Sequence, residues 1–227
     1  MNVELPSKWQ RYNEALWLSA RLWRGMGHSR VRGPEEGQPV LVIPGFMTSD
    51  RSALELRRAL AEAGFRVYPW QLGINKGVSK ELYKQLLDRV DEIHEIHKEP
   101  VLLVGWSLGG LFAREIARDM PEKIEAVVTL GSPIALSLRD NNVWRIYEWI
   151  TGHAVDQTPV PRICAKPPVP TLAIWSKNDG LIPADAARGT ELERDDEIEM
   201  SCTHMAFGLS YLTTRKIASF IKEWLKK

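Results

Sequence analysis

The sequence predicts an α/β fold: about six short strands in a mostly parallel sheet, flanked by helices on both faces, with a small helical cap insertion. Three observations carry this. Short apolar runs alternate along the chain with stretches whose apolar residues recur at helical spacing. The runs lack the polar alternation of a half-exposed strand, as expected where both faces of a sheet are covered. One run, residues 101–104 (Val-Leu-Leu-Val), passes through Gly105-Trp106-Ser107-Leu108-Gly109-Gly110 directly into a helical pattern.

The elements follow in order. Residues 7–24 place Trp9, Tyr12, Leu16, Trp17, Ala20 and Trp23 at helical spacing, with Arg11, Glu14, Arg21 and Arg24 on much of the other side and Ser7 as cap. This reads as a surface helix; aromatics beside arginines also suit a weak peripheral membrane or partner contact. A glycine- and arginine-rich loop leads to the first strand, residues 39–43, which Pro44-Gly45 ends. A helix over 52–63 stops at Gly64, a strand covers 65–69, and a long charged helix spans 79–98. The strand at 101–104 and its helix to Asp119 come next, then strands at 124–130, 171–175 and 197–200. A helix over 210–225 closes the chain. Residues from about 134 to 170 break the alternation, as a cap over the carboxyl edge of the sheet would. There Leu136, Leu138, Trp144, Tyr147 and Trp149 either line an apolar pocket or hold the insertion to the body.

Composition bounds the function. The 227 residues suffice for one core and are read as one domain, 1–227, with residues 1–37 as an N-terminal helix and loop. Thirty basic and 29 acidic residues, well mixed, leave a net charge of +1 and no basic stripe for nucleic acid. Cys164 and Cys202 lack metal-ligand spacing and read as free thiols. No metal or cofactor is therefore expected. The first residues show no basic segment followed by an apolar run, and no stretch approaches the ~20 apolar residues of a membrane span. A cytoplasmic location is the expectation. No feature of the sequence bears on oligomeric state.

The chemistry centres on Ser107. Between a buried strand and a helix, Gly105-Trp106-Ser107-Leu108-Gly109 is a G-x-S-x-G nucleophile elbow in the required context. Serine attacks only when a base takes its proton and a third group orients that base. Both partners are expected just after strands at the same sheet edge. Asp179 follows the 171–175 strand and His204 follows the 197–200 strand. The other histidines are less suited: His94 and His97 sit on the charged helix and read as solvated, His28 in a loop, His153 in the insertion. Among rival acids, Asp156 lies in the insertion, while Asp195 and Asp196 precede their strand at the wrong edge. An oxyanion needs donors as well. The N–H of Leu108 is one, and the loop Pro44-Gly45-Phe46-Met47-Thr48-Ser49-Asp50 supplies the other, Phe46 first and Met47 next. Met47, Trp106, Trp144 and Trp149 are the expected substrate contacts.

The set Ile43-Pro44-Gly45-Phe46-Met47, Gly105-Trp106-Ser107-Leu108-Gly109-Gly110, Leu130-Gly131-Ser132-Pro133, Asp179-Gly180-Leu181-Ile182-Pro183 and Ser201-Cys202-Thr203-His204 resembles compact bacterial α/β-hydrolase lipases and esterases, near the triacylglycerol lipases. The resemblance spans roughly residues 38–225. It implies the α/β-hydrolase fold, with Ser107 as nucleophile, His204 as base, Asp179 as its orienter, and Phe46 and Leu108 as the oxyanion hole. The implied substrate is a small-molecule or lipid ester with an apolar acyl group, cleaved through an acyl-enzyme. Acyl transfer, or thioester or amide cleavage, would use the same triad, and a non-catalytic binding protein on this scaffold would be expected to lack a member. One departure stands out: Pro44 occupies a position where many relatives carry histidine.

Overall fold

Six strands form one parallel sheet: β1 (Pro39–Ile43), β2 (Arg66–Pro69), β3 (Val101–Trp106), β4 (Ile124–Leu130), β5 (Thr171–Ser176) and β6 (Asp196–Met200). Their spatial order is β2-β1-β3-β4-β5-β6, and every pairing is parallel. The helices are α1 (Leu54–Glu62), α2 (Lys80–His97), α3 (Leu108–Asp119), α4 (Ala184–Arg188), α5 (Ala206–Leu209) and α6 (Tyr211–Trp224). This computed structural model describes Pro6, Ser7, Trp9, Gln10, Glu14, Val31, residues 33–135, Glu148 and residues 163–227.

The apolar runs are continuous because alternate side chains enter two different cores. Val40, Val42, Leu102, Val104, Trp106, Val128 and Ile174 pack with α1, α5 and α6 on one face. Leu41, Ile43, Leu103 and Val127 pack with α2 and α3 on the other. Each such aliphatic side chain, fully buried, contributes about 1.5–3 kcal/mol. The edge strands carry the polar residues. Pro69 lies in β2 and Asp196, Glu197 and Glu199 in β6, where a missing ladder donor or a charge is tolerated and blocks further pairing.

The chain runs from β1 to β2 on one side, then returns through β3 to fill the sheet on the other. The carboxyl ends of β1 and β3 therefore border the crevice where the winding direction reverses, the usual ligand position in open α/β sheets. The loop after β1 and Ser107 after β3 flank it.

Element bounds agree with the expected ones to within about two residues, the usual scatter of helix ends. The short α4 and α5 were not expected, because neither is long enough to show a helical period. His97 is not the solvated residue the charged helix suggested. Its ring is half-buried between Arg66 and Tyr68 of β2, because the end of α2 crosses that strand. Glu14 is a second correction. It is buried to 1% exposure, on the inner side of its helix rather than the charged outer side. Trp9, Gln10 and Glu14 are helical as expected; residues 8, 11–13 and 15–30 lie outside the described residues. Glu148 is helical too, but the cap positions Leu136, Leu138, Trp144, Tyr147 and Trp149 lie outside them, as do His28, His153 and Asp156. No helix among the described residues is long and apolar enough to cross a membrane.

Candidate active site

Ser107 sits at the apex between β3 and α3 with φ 55° and ψ −120°, a conformation rarely adopted by a residue with a side chain. Two backbone bonds hold it there. Its N–H donates to Leu130 O of β4 at 2.8 Å, and its carbonyl accepts from Gly110 N at 3.0 Å. The flanking glycines are steric necessities. A Cβ on Gly105 would lie 2.3 Å from Gly109 O, and one on Gly109 would lie 2.2 Å from Ile43 O. The elbow can thus press against the end of β1, and Leu108, as the first residue of α3, has an N–H without an intrahelical acceptor.

The loop after β1 comes equally close. A Cβ on Gly45 would be 3.2 Å from the Ser107 Cβ. Thr48 closes a turn over Phe46 and Met47, its N–H donating to Gly45 O at 3.1 Å and its hydroxyl to the same oxygen at 2.7 Å. Met47 has φ 55°, and its N–H donates to Asn75 O at 2.7 Å, so this donor is already committed. Phe46 is half-buried and Met47 is 38% exposed at the loop tip.

Asp179 and His204 meet across the ends of β5 and β6. His204 Nδ1 and Asp179 Oδ2 are 2.7 Å apart, with side-chain exposures of 4% and 0%. The other carboxylate oxygen, Oδ1, accepts from the N–H groups of Leu181 and Ile182, each at 2.8 Å. Both oxygens are thus used, and the ring is tied through Nδ1, which leaves Nε2 as the acceptor of the neutral imidazole. Among the described residues Nε2 has no hydrogen bond, to Ser107 or to any other group. Serine–base bonds often tighten only when substrate is bound. Burial pushes the His204 pKa down, but the Asp179 charge, its hydrogen bond and the Glu14 charge outweigh that and hold it above the ordinary value.

Ser176 joins the two loops beneath this pair. Its hydroxyl donates to Cys202 O at 2.7 Å and accepts from Cys202 N and Asn178 N at 3.1 and 3.0 Å. Cys202 and Cys164 are both free thiols, and burial, followed by the Asp179 charge, pushes the Cys202 thiol up to about 12. No group of side chains suited to a metal ion occurs among the described residues.

Trp106 is a correction to the expected substrate contacts. The alternation along β3 sends its indole into the core with Leu102 and Val104, at 1% exposure. There it packs under the imidazole, 6.0 Å from the His204 ring centre. Trp144 and Trp149 lie outside the described residues.

No protein-family model matches the chain. Solved structures do. An alpha/beta hydrolase enzyme from the sediment metagenome of the Mar Chica lagoon, Morocco, is 23% identical, with a TM-score of 0.58 covering 86% of this chain and 92% of that one. The Paleococcus ferrophilus monoacylglycerol lipase is 20% identical, with a TM-score of 0.59 covering 88% and 98%. The fold is that of an α/β-hydrolase. A curated relative, the pimeloyl-[acyl-carrier protein] methyl ester esterase of Shewanella woodyi, is 29% identical over 109 residues. That match spans 48% of this chain and 41% of the relative.

Two buried residues beside this site escape sequence reasoning. Asn75, fully buried, donates from Nδ2 to Pro44 O at 2.8 Å and accepts Gly77 N–H on Oδ1 at 3.2 Å. Its backbone N–H donates to Thr48 O at 2.8 Å. The loop after β1 therefore has its own brace at Pro44. Glu14 is the other. Its Oε1 accepts from Gly180 N at 3.0 Å and from His204 N, and its Oε2 accepts from Met205 N at 2.9 Å. Only a helix packed on these loops could have signalled it, and the sequence pattern hid that side.

Proposed function

We propose that this α/β-hydrolase is a serine hydrolase of carboxylic esters with an apolar acyl group. The observation that carries the reading is the buried 2.7 Å pair of His204 Nδ1 and Asp179 Oδ2, at the same sheet edge as a serine held at φ 55°. His204 Nε2 takes the Ser107 proton as Oγ attacks the ester carbonyl. Asp179 keeps the ring in the tautomer that makes Nε2 the base and balances the imidazolium charge that develops. The N–H groups of Leu108 and Phe46 stabilise the oxyanion, each worth about 3–4 kcal/mol in comparable sites. Collapse expels the alcohol, which leaves with the proton from Nε2. Water then attacks the acyl-Ser107 ester by the same route in reverse.

Two further observations support an apolar ester. Met47 and Ile74, 38% and 49% exposed, belong to segments joined by the Met47–Asn75 backbone bond beside the elbow. The partial relative is named for a methyl ester esterase activity. A fluorophosphonate probe tests the reading: it should label the wild type and not Ser107→Ala, and His204→Ala should abolish aryl-ester turnover. Equal labelling of both proteins, or wild-type turnover by the histidine variant, would refute it.

A further inference from the structure

Glu14 is an anomaly under a purely structural account of the N-terminal helix. A carboxylate at 1% exposure costs several kcal/mol unless its oxygens are fully engaged. Here all three engagements go to the two loops that carry Asp179 and His204. Gly180 N–H comes from the first loop, His204 N–H and Met205 N–H from the second. Charge-assisted N–H···O⁻ bonds are about twice as strong as neutral ones, so one side chain clamps both loops. The fit is tight enough to require glycine opposite. A Cβ on Gly180 would lie 2.7 Å from Glu14 Cγ and 2.5 Å from Gln10 O. Gln10, one turn earlier, donates from Nε2 to Lys177 O at 2.8 Å, so the helix docks on the acid loop at a second point.

We propose that Glu14 is a positioning residue that sets the geometry and the proton affinity of His204 by clamping the loops after β5 and β6. The proposal rests on His204 being the base. Among the described residues, the charged groups facing the ring are Asp179 from the β5 loop and Glu14 from the N-terminal helix. Trp106 and Phe207 pack against it without charge, and Cys202 remains a thiol. Both carboxylates favour the imidazolium. Removing the Glu14 charge while keeping its shape therefore lowers the ring pKa. Glutamine also turns one acceptor into a donor against a backbone N–H, which loosens the clamp.

The test uses Glu14→Gln and Glu14→Asp in the full chain. Glu14→Gln should lose up to about 100-fold in kcat, as small displacements of a catalytic group do, with KM little changed. The acid limb of its kcat/KM profile should move to lower pH. Glu14→Asp keeps the charge but lacks the reach to bridge both loops, so kcat should fall while the limb stays closer to the wild-type position. An NMR titration of the His204 ring should show the same downward shift in Glu14→Gln without any substrate, and thermal melts check that each variant is folded. A folded Glu14→Gln whose limb and ring titration coincide with wild type would overturn the proposal. The hydrolase reading fails separately, through labelling of Ser107→Ala.

Discussion

Asn75→Ala is the sharpest perturbation of the proposed oxyanion side. The change removes Nδ2 from the buried Pro44 carbonyl and Oδ1 from the buried Gly77 N–H. Each orphaned buried group costs about 1–3 kcal/mol, so the loss is about 2–6 kcal/mol before any cavity contribution. For a chain of 227 residues each kcal/mol corresponds to roughly 2–4 °C of Tm. The variant should therefore melt some 5–20 °C below wild type. The backbone bonds Met47 N to Asn75 O and Asn75 N to Thr48 O do not depend on the side chain. The loop is loosened rather than released, and kcat for an aryl ester should fall with KM nearly constant, since the oxyanion donor acts in the transition state. Asn75→Asp separates the two losses. It keeps an acceptor for Gly77 but sets an oxygen against Pro44 O, so it should be at least as unstable as the alanine variant at neutral pH. A melting temperature within about 1 °C of wild type and an unchanged kcat for Asn75→Ala would refute the assignment of Asn75 as the loop's brace.

Four further outcomes follow from the same packing and hydrogen bonds. Gly109→Ala puts a methyl group 2.2 Å from the Ile43 carbonyl, a backbone atom that cannot rotate away, and should cost at least about 1–3 kcal/mol in denaturant unfolding. Asp179→Asn should lower kcat for an aryl ester on the order of 10⁴-fold as the ring loses its tautomer, measured on variant protein shown by its melt to be folded. The acid limb of wild-type kcat/KM should have its midpoint above 6.5, because the His204 pKa is raised in the folded protein; activity rises with pH through that midpoint and the imidazolium form below it is inactive. Native-state alkylation at pH 8 should modify the exposed Cys164 and spare Cys202, whose thiol is pushed up to about 12; equal rates, measured by mass spectrometry, would contradict that burial.

How far the sequence could be read follows from what each residue must satisfy. β1, β3, β4 and β5 were legible because a strand covered on both faces reads as a short, nearly continuous apolar run. Ser107, Asp179 and His204 stand out in the sequence because their proposed chemistry demands particular residue types, each placed at a strand's carboxyl end. The structure brings Asp179 and His204 into contact there. Glu14 and Asn75 obey no such rule. A glutamate on an amphipathic helix and an asparagine in a loop are by composition solvated residues. What buries them is backbone brought in from elsewhere in the fold, 166 residues away for Gly180 and 31 for Pro44. Local periodicity carries no trace of such a partner. Trp106 failed in the opposite direction, since its place beside the serine suggested a substrate contact, while the two-residue repeat of β3 dictates the core. The polar groups that respond to distant backbone are thus the ones the sequence hides, and in this fold they brace the loops beside the serine.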